Sequence, residues 1–246
     1  MVKVAIIGGT GLTALPGLEI MAQKTVTTPY GEPSSSITQG ALSGKEVFFL
    51  PRHGAGHTIA PHKINYRANI WALQSLGVEK VIAVAAVGGI AAAMPPGALA
   101  IPDQIIDYTG ARISTFFEED LSNVVHIDFT YPYCEELRRI LISAAGSVGL
   151  QLMDYGTYGA TQGPRLETAA EITRLERDGC HMVGMTGMPE AALARELGLC
   201  YATCALSANW AAGKTADIIT MEEIEKNLGA GIGQVRQLLQ HALLAL

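Results

Sequence analysis

The sequence predicts an α/β fold, a single-domain mixed but mainly parallel sheet flanked by helices, on three observations. Short apolar runs that read as strands alternate with segments of helical period, strands end in Gly-rich loops, and apolar residues suffice to cover both faces of a sheet. The first strand, Val2–Ile7, runs straight into Gly8-Gly9-Thr10-Gly11. Val47–Leu50 and Val81–Ala86 follow, separated by a helix in which Tyr66, Ile70, Leu73 and Leu76 keep helical spacing and Gly77 supplies the stop. Ala98–Ile106 reads as the next strand, then Thr157–Thr161, Met182–Gly184 and Tyr201–Leu206. One helix follows Pro189 and ends at Gly198. The last opens with Thr220 and Glu223 as a capping box and aligns Ile224, Leu228, Ile232, Val235, Leu239 and Leu243 on one face. No repeat, low-complexity tract or linker interrupts the pattern, so residues 1–246 are expected to form one domain. Thr27–Ser36 and Ser114–Pro132, the latter with Glu118-Glu119-Asp120, read as surface loops that are ordinary, mobile or involved in oligomer contacts.

Composition limits the function classes. Hydrophobic residues make up 49% of the 246 and charged residues 16%, which implies a large core and apolar surface left to meet another subunit. A formal net charge of −6 gives no electrostatic reason to expect nucleic acid. Val2–Ile7 enters a strand with no basic leader before it, and no apolar stretch reaches the roughly 18 residues that a membrane span needs. A cytoplasmic protein without a membrane partner is expected. Cys134, Cys180, Cys200 and Cys204 match no zinc spacing, and Cys200 and Cys204 read as small core residues.

Four loops could carry chemistry. Gly8–Gly11 can converge backbone N–H groups on an anion, with the Thr10 hydroxyl beside them, although a plain tight turn would look the same. Arg52-His53-Gly54 follows a strand and offers a planar fork and a titratable ring to an oxyanion. His53, His57 and His62 could alternatively be read as zinc ligands, but no carboxylate or Cys sits at ligand spacing, and no metal is expected. Ala83–Gly89 is a strand ending in paired glycines, which either open backbone amides to a ligand or allow close packing. Gly163-Pro164-Arg165-Leu166-Glu167-Thr168 and Val183-Gly184-Met185-Thr186-Gly187-Met188-Pro189-Glu190 are strand exits leading into helices.

Taken in order, these phrases resemble the methylthioadenosine phosphorylases within the trimeric purine nucleoside phosphorylase family. The likeness includes Ile6–Gly11, Arg52-His53-Gly54 with His57-Thr58-Ile59 and Pro61, Asn65–Leu73 and the two last loops, and it covers nearly the whole chain. It implies a homotrimer that cleaves a purine nucleoside with inorganic phosphate as co-substrate and no cofactor. It assigns phosphate to Thr10, Arg52, His53, Thr186 and the Ala86 amide, with His53 as a donor, and lays Met185 against the ribose.

Where the base should sit, the chain departs from the methylthioadenosine enzymes. Glu167 follows Leu166 where they have a small hydroxyl residue, and Asn209-Trp210-Ala211 stands where they place two aspartates around a tyrosine. Glu and Asn at these positions are what 6-oxopurine phosphorylases carry. A carboxylate at Glu167 accepts from N1–H of a 6-oxopurine, and the Asn209 amide serves O6 and a protonated N7. No His occurs between Trp210 and Gln240, where the ordinary 6-oxopurine enzymes hold the 5′-hydroxyl; Met221 and Ile224 fall there instead. With His126 reaching across from a neighbouring subunit, an apolar pocket for a 5′-methylthio group is expected, and methylthioinosine is the expected substrate. Methylthioadenosine or plain inosine and guanosine are the near alternatives. A regulatory module that holds a dinucleotide on Gly8–Gly11 is the alternative of another class, disfavoured because only the loosely placed Glu32 could serve as the acidic ribose partner.

Overall fold

The computed structural model describes residues 2–119 and 121–246, so Asp120 of the acidic run lies outside the described residues. β1 (Val4–Gly8) runs parallel to β4 (Lys45–Pro51) on one side and β5 (Lys80–Gly89) on the other. β5 is also the parallel neighbour of β11 (Cys200–Trp210), so the predicted parallel centre is present. Side chains of a strand alternate between faces, and β1 divides its residues accordingly. Ala5 and Ile7 join a core with α1 (Tyr66–Ser75) and α4 (Gly187–Glu196), whereas Val4 and Ile6 join one with α2 (Glu135–Ser147) and α5 (Met221–Leu244). Helices therefore cover both faces, which is why β1, and β5 beyond Lys80, are apolar.

Several elements differ from the sequence reading, which also did not single out α2, α3 (Ala169–Arg177) or β8 (Leu152–Met153). Ala98–Ile106 is not one strand: it splits into β6 (Leu99–Ala100) and β7 (Gln104–Asp107) around Pro102, which has no N–H to continue a ladder. β6 pairs β11 and β8 (Leu152–Met153), while β7 pairs β9 (Thr157–Ala160). An antiparallel hairpin of β2 (Glu19–Lys24) and β3 (Ile37–Leu42) extends the sheet beyond β4, and Thr27–Ser36 is its connection. At α5, Thr220 accepts from the Glu223 N–H at 3.2 Å, which is half of a capping box. The complete box is at α3 (Ala169–Arg177), where Thr168 and Glu171 cap each other.

Cys200 is not a simple core residue. It is joined to Cys134, linking the start of β11 to the N-cap of α2, while Cys180 and Cys204 are free and buried. Among the described residues, the one group with metal-type ligands close together is Cys134, Glu136 and Cys200, and two of these form that disulfide. Among the described residues, no helix is long and apolar enough to cross a membrane.

Candidate active site

The sheet opens along one edge of β5. β11 occupies the other edge over the whole strand. β1 pairs Lys80–Ala83 and β10 (Cys180–Gly184) pairs Gly88–Gly89, so Val84–Val87 have no strand beside them on the open edge. A cavity of about 270 Å³ lies there. The Val84 carbonyl points to this edge, where it accepts from Arg52 Nη1 at 2.9 Å. Backbone groups two residues apart on a strand face the same edge, so the Ala86 N–H is presented to the cavity too. Gly9 is needed for the approach of the first loop, since a Cβ on it would lie 2.5 Å from the Val84 oxygen. Gly89, in contrast, serves packing: a Cβ there would meet the Met94 carbonyl at 1.8 Å.

Arg52, at the end of β4, is 1% exposed and lines the cavity. Its Nε and Nη2 donate to Glu190 at 2.6 and 2.8 Å, and Glu190 also accepts from the Tyr201 hydroxyl at 2.8 Å. Burial alone would lower the guanidinium pKa, but the charge and hydrogen bonds of Glu190 outweigh it and hold the group above its ordinary value. Three of the five N–H groups are committed, leaving one on each terminal nitrogen for a ligand. Arg52 is thus a fork whose charge is already balanced.

His53 sits beside it with Nδ1 2.8 Å from the Ile59 carbonyl, an arrangement that requires hydrogen on Nδ1. Burial and the neighbouring Arg52 charge lower its pKa to about 4, so the ring is neutral near pH 7. Its Nε2 therefore carries a lone pair. In this tautomer Nε2 is an acceptor, and the donor role expected from sequence needs a proton on it. The His57 ring lies tilted against that of His53, 4.5 Å between ring centroids, and also lines the cavity; burial lowers its pKa as well.

Further lining residues come from a strand bulge and from a loop. In β11 the register against β5 shifts between Ser207 and Asn209, leaving Ala208 as an extra residue. Such a bulge re-aims the side chain that follows, and Asn209 and Ala208 both line the cavity. Asn209 is 8% exposed, and its Nδ2 donates to the Trp210 carbonyl at 2.7 Å. Glu167 enters from the loop before α3, and its Oε1 accepts from the Thr161 hydroxyl at 2.6 Å. Met185, Leu166, Ala211, Met221 and Ile224 complete an apolar wall, joined by Ile219, which sequence reasoning did not single out.

Thr10, Ala86 and Thr186 line the same cavity as Arg52 and His53, so one space gathers the five phosphate candidates and most of the base and ribose candidates. Two candidates lie outside it. Trp210 contributes only its carbonyl to Asn209, because the next residue after a β-position faces the other side of the strand. His126 is exposed in the irregular segment after β7 and does not line the cavity of its own chain. Glu190 and Thr161 were missed as site residues. The motif containing Glu190 was visible, but nothing in its spacing showed a partner 138 residues away.

The fold and cavity define an α/β protein in which Arg52, His53, Glu167 and Asn209 share one space with an apolar wall. A family model described as the Phosphorylase superfamily matches residues 3–244, and the chain belongs to that family. It is 56% identical to a protein of Pseudomonas syringae pv. tomato named probable S-methyl-5'-thioinosine phosphorylase, over 100% of both chains. It is 51% identical to a 6-oxopurine nucleoside phosphorylase of Pyrococcus furiosus, over 91% of this chain and 85% of that one. The methylthioadenosine phosphorylase of Schistosoma mansoni in complex with adenine superposes with a TM-score of 0.96 at 32% identity, covering 100% of this chain and 92% of the other.

Proposed function

We propose that the protein cleaves S-methyl-5′-thioinosine with inorganic phosphate, giving hypoxanthine and 5-methylthioribose 1-phosphate, with residues 1–246 acting as one domain. The observation that carries this reading is that Glu167 and Asn209 line one cavity together with the apolar Ile219, Met221 and Ile224. Glu167 accepts from the purine N1–H and Asn209 bonds O6 and N7, while the apolar wall takes the methylthio group. The phosphate oxygens are met by Thr10, Thr186, the Ala86 N–H and the two spare N–H groups of Arg52. Phosphate forms the bond to the anomeric carbon as the bond to N9 breaks, and the proton of hydrogen phosphate ends on the leaving base. Preorganised donors facing the charge that develops carry the rate, and no protein nucleophile or cofactor enters. Phosphate-dependent appearance of hypoxanthine and a sugar 1-phosphate, followed by ³¹P NMR, tests the assignment. Base released equally without phosphate would make the protein a hydrolase instead.

The His53 tautomer adds an anion preference. Nε2 as an acceptor needs a proton on the ligand, which hydrogen phosphate and hydrogen arsenate have near neutral pH and sulfate lacks. Arsenate is expected to replace phosphate, and sulfate to compete about tenfold more weakly, the difference of one unfavourable hydrogen-bond contact. Inhibition constants for sulfate measured against phosphate check this; equal affinity would remove the acceptor role of His53.

The 5′ wall gives a second expectation. Replacing Ile224 by Asn or Met221 by Gln puts a polar group against the methylthio site, where each buried methylene is worth about 0.8 kcal/mol. The ratio of methylthioinosine to inosine activity is expected to fall by roughly tenfold in the Ile224 variant, which alters a side chain only 7% exposed. A smaller fall is expected for Met221, which is 62% exposed. Unchanged ratios in both would move the 5′ pocket elsewhere.

The same proposal makes the protein a cytoplasmic homotrimer active in purine salvage. Ile113, Val124, Val125 and Tyr131 are exposed apolar residues in one irregular segment, which supports a subunit contact there, with His126 among them. The Cys134–Cys200 disulfide is the feature that runs against a reducing compartment.

A further inference from the structure

One charged side chain next to the cavity has a role that neither the base nor the phosphate assignments use. Arg112 lies in the irregular segment after β7, preceded by Ala111 at φ +57°. Its Nη1 donates to the carbonyls of Met185 and Met188 at 2.8 and 2.6 Å and lies 3.3 Å from the Tyr66 hydroxyl. Its Nη2 donates to the carbonyls of Thr161 and Gln162 at 3.2 and 2.7 Å, and Nε donates to Gln162 Oε1 at 3.1 Å. The guanidinium carbon stands 5.6 Å from the centre of the Tyr66 ring. Among the described residues it forms no ion pair with a carboxylate; main-chain dipoles and an aromatic face hold the charge.

The four carbonyls belong to two segments, Thr161–Gln162 after β9 and Met185–Met188 between β10 and the regular part of α4, where Met188 is not helical, and each segment adjoins residues assigned to the site. Thr161 donates to Glu167, so fixing the Thr161 backbone fixes the group assigned to the base. Met185 immediately precedes Thr186, which is assigned to phosphate. The loops also touch directly, since a Cβ on Gly163 would lie 2.4 Å from Met185 Sδ. Carbonyls converging from two loops repel one another unless a donor lies between them. A planar group with five N–H donors can bridge all four, and an ammonium with three cannot.

We propose that Arg112 is a positioning residue for the reaction: its guanidinium holds the Thr161–Glu167 loop and the Met185–Met188 loop in register, setting the base against the phosphate. This rests on the phosphorylase reading above. Misplacing reacting groups by about 1 Å can cost about 10²-fold in rate, which sets the scale of the expected effect.

The test compares native protein with Arg112→Ala and Arg112→Lys, measuring kcat, KM for both substrates, and melting temperature. It also measures the ratio of kcat/KM for methylthioinosine to that for methylthioadenosine, with and without millimolar guanidinium. Arg112→Ala is expected to lose about 10²-fold in kcat and to discriminate less between the two bases. Arg112→Lys restores melting temperature more than kcat, and added guanidinium raises the kcat of Arg112→Ala about tenfold without helping native protein. If Arg112→Ala does not fold, kcat and base discrimination of Arg112→Lys decide. Native kcat in Arg112→Lys, or a folded Arg112→Ala that guanidinium does not rescue, would overturn the proposal. Failure of the phosphorylase reading would look different: native protein itself would show no phosphate-dependent cleavage.

Discussion

Asn209→Asp combined with Glu167→Ser is expected to move the protein from methylthioinosine toward methylthioadenosine. A carboxyl group at 209 accepts from the 6-amino group and, when protonated, donates to N7. Removing Glu167 takes away an acceptor that would face the lone pair of adenine N1. In the native site that mismatch leaves polar groups unpaired in a cavity where Asn209 is 8% exposed, and sites built on a hydrogen-bond pattern discriminate by about 10⁴-fold or more. The double variant should recover part of this, because its supporting groups remain those of the parent. Thr161, for instance, would lose the carboxylate it now donates to. Specificity constants for both nucleosides in all four combinations of residues measure the coupling; additive effects would show that the two positions do not read one base together.

The second large effect is expected at the Arg52–Glu190 pair. Both side chains are essentially inaccessible, at 1% and 0% exposure, and they share two hydrogen bonds. Removing one partner of such a pair costs about 3–5 kcal/mol, since the other is left buried and uncompensated. Glu190→Gln and Arg52→Ala should therefore both lower stability by that order, read from denaturant midpoints. They should differ in function. Arg52→Ala removes two donors from the phosphate and is expected to lose about 10²-fold in kcat. Glu190→Gln keeps the fork and should lose less, because phosphate itself can balance the freed guanidinium; added phosphate should then stabilise Glu190→Gln more than the native protein. A Glu190→Gln protein with native stability would show that the pair is not what holds Arg52 in place.

The contrast between these two predictions shows what the sequence makes legible. Glu167, Asn209, Arg52, His53 and Thr186 stand at ends of strands or in the loops just after them, and local patterns mark such places. The alternation of strands and helices follows from apolar periodicity, which each segment carries by itself. What joins these residues is non-local. The open edge of β5 arises because β1 stops pairing at Ala83 and β10 begins at Gly88, a feature of three strands together. The bulge at Ala208 that aims Asn209 has no local signature in Ser207-Ala208-Asn209. Glu190, Tyr201 and Arg112 find their partners only in the folded chain. β2 was missed for a simpler reason: four of its six residues are exposed, so it lacks the alternation that marks a half-buried strand.

The most direct measurement is the set of specificity constants for methylthioinosine, methylthioadenosine, inosine and guanosine on one preparation of the native protein, with phosphate present and absent. Cleavage that requires phosphate and is fastest on methylthioinosine, with methylthioadenosine lower by about 10⁴-fold, is the expected result. Preference for methylthioadenosine would contradict the role given to Glu167 and Asn209, and cleavage without phosphate would contradict the role given to Arg52, His53 and Thr186.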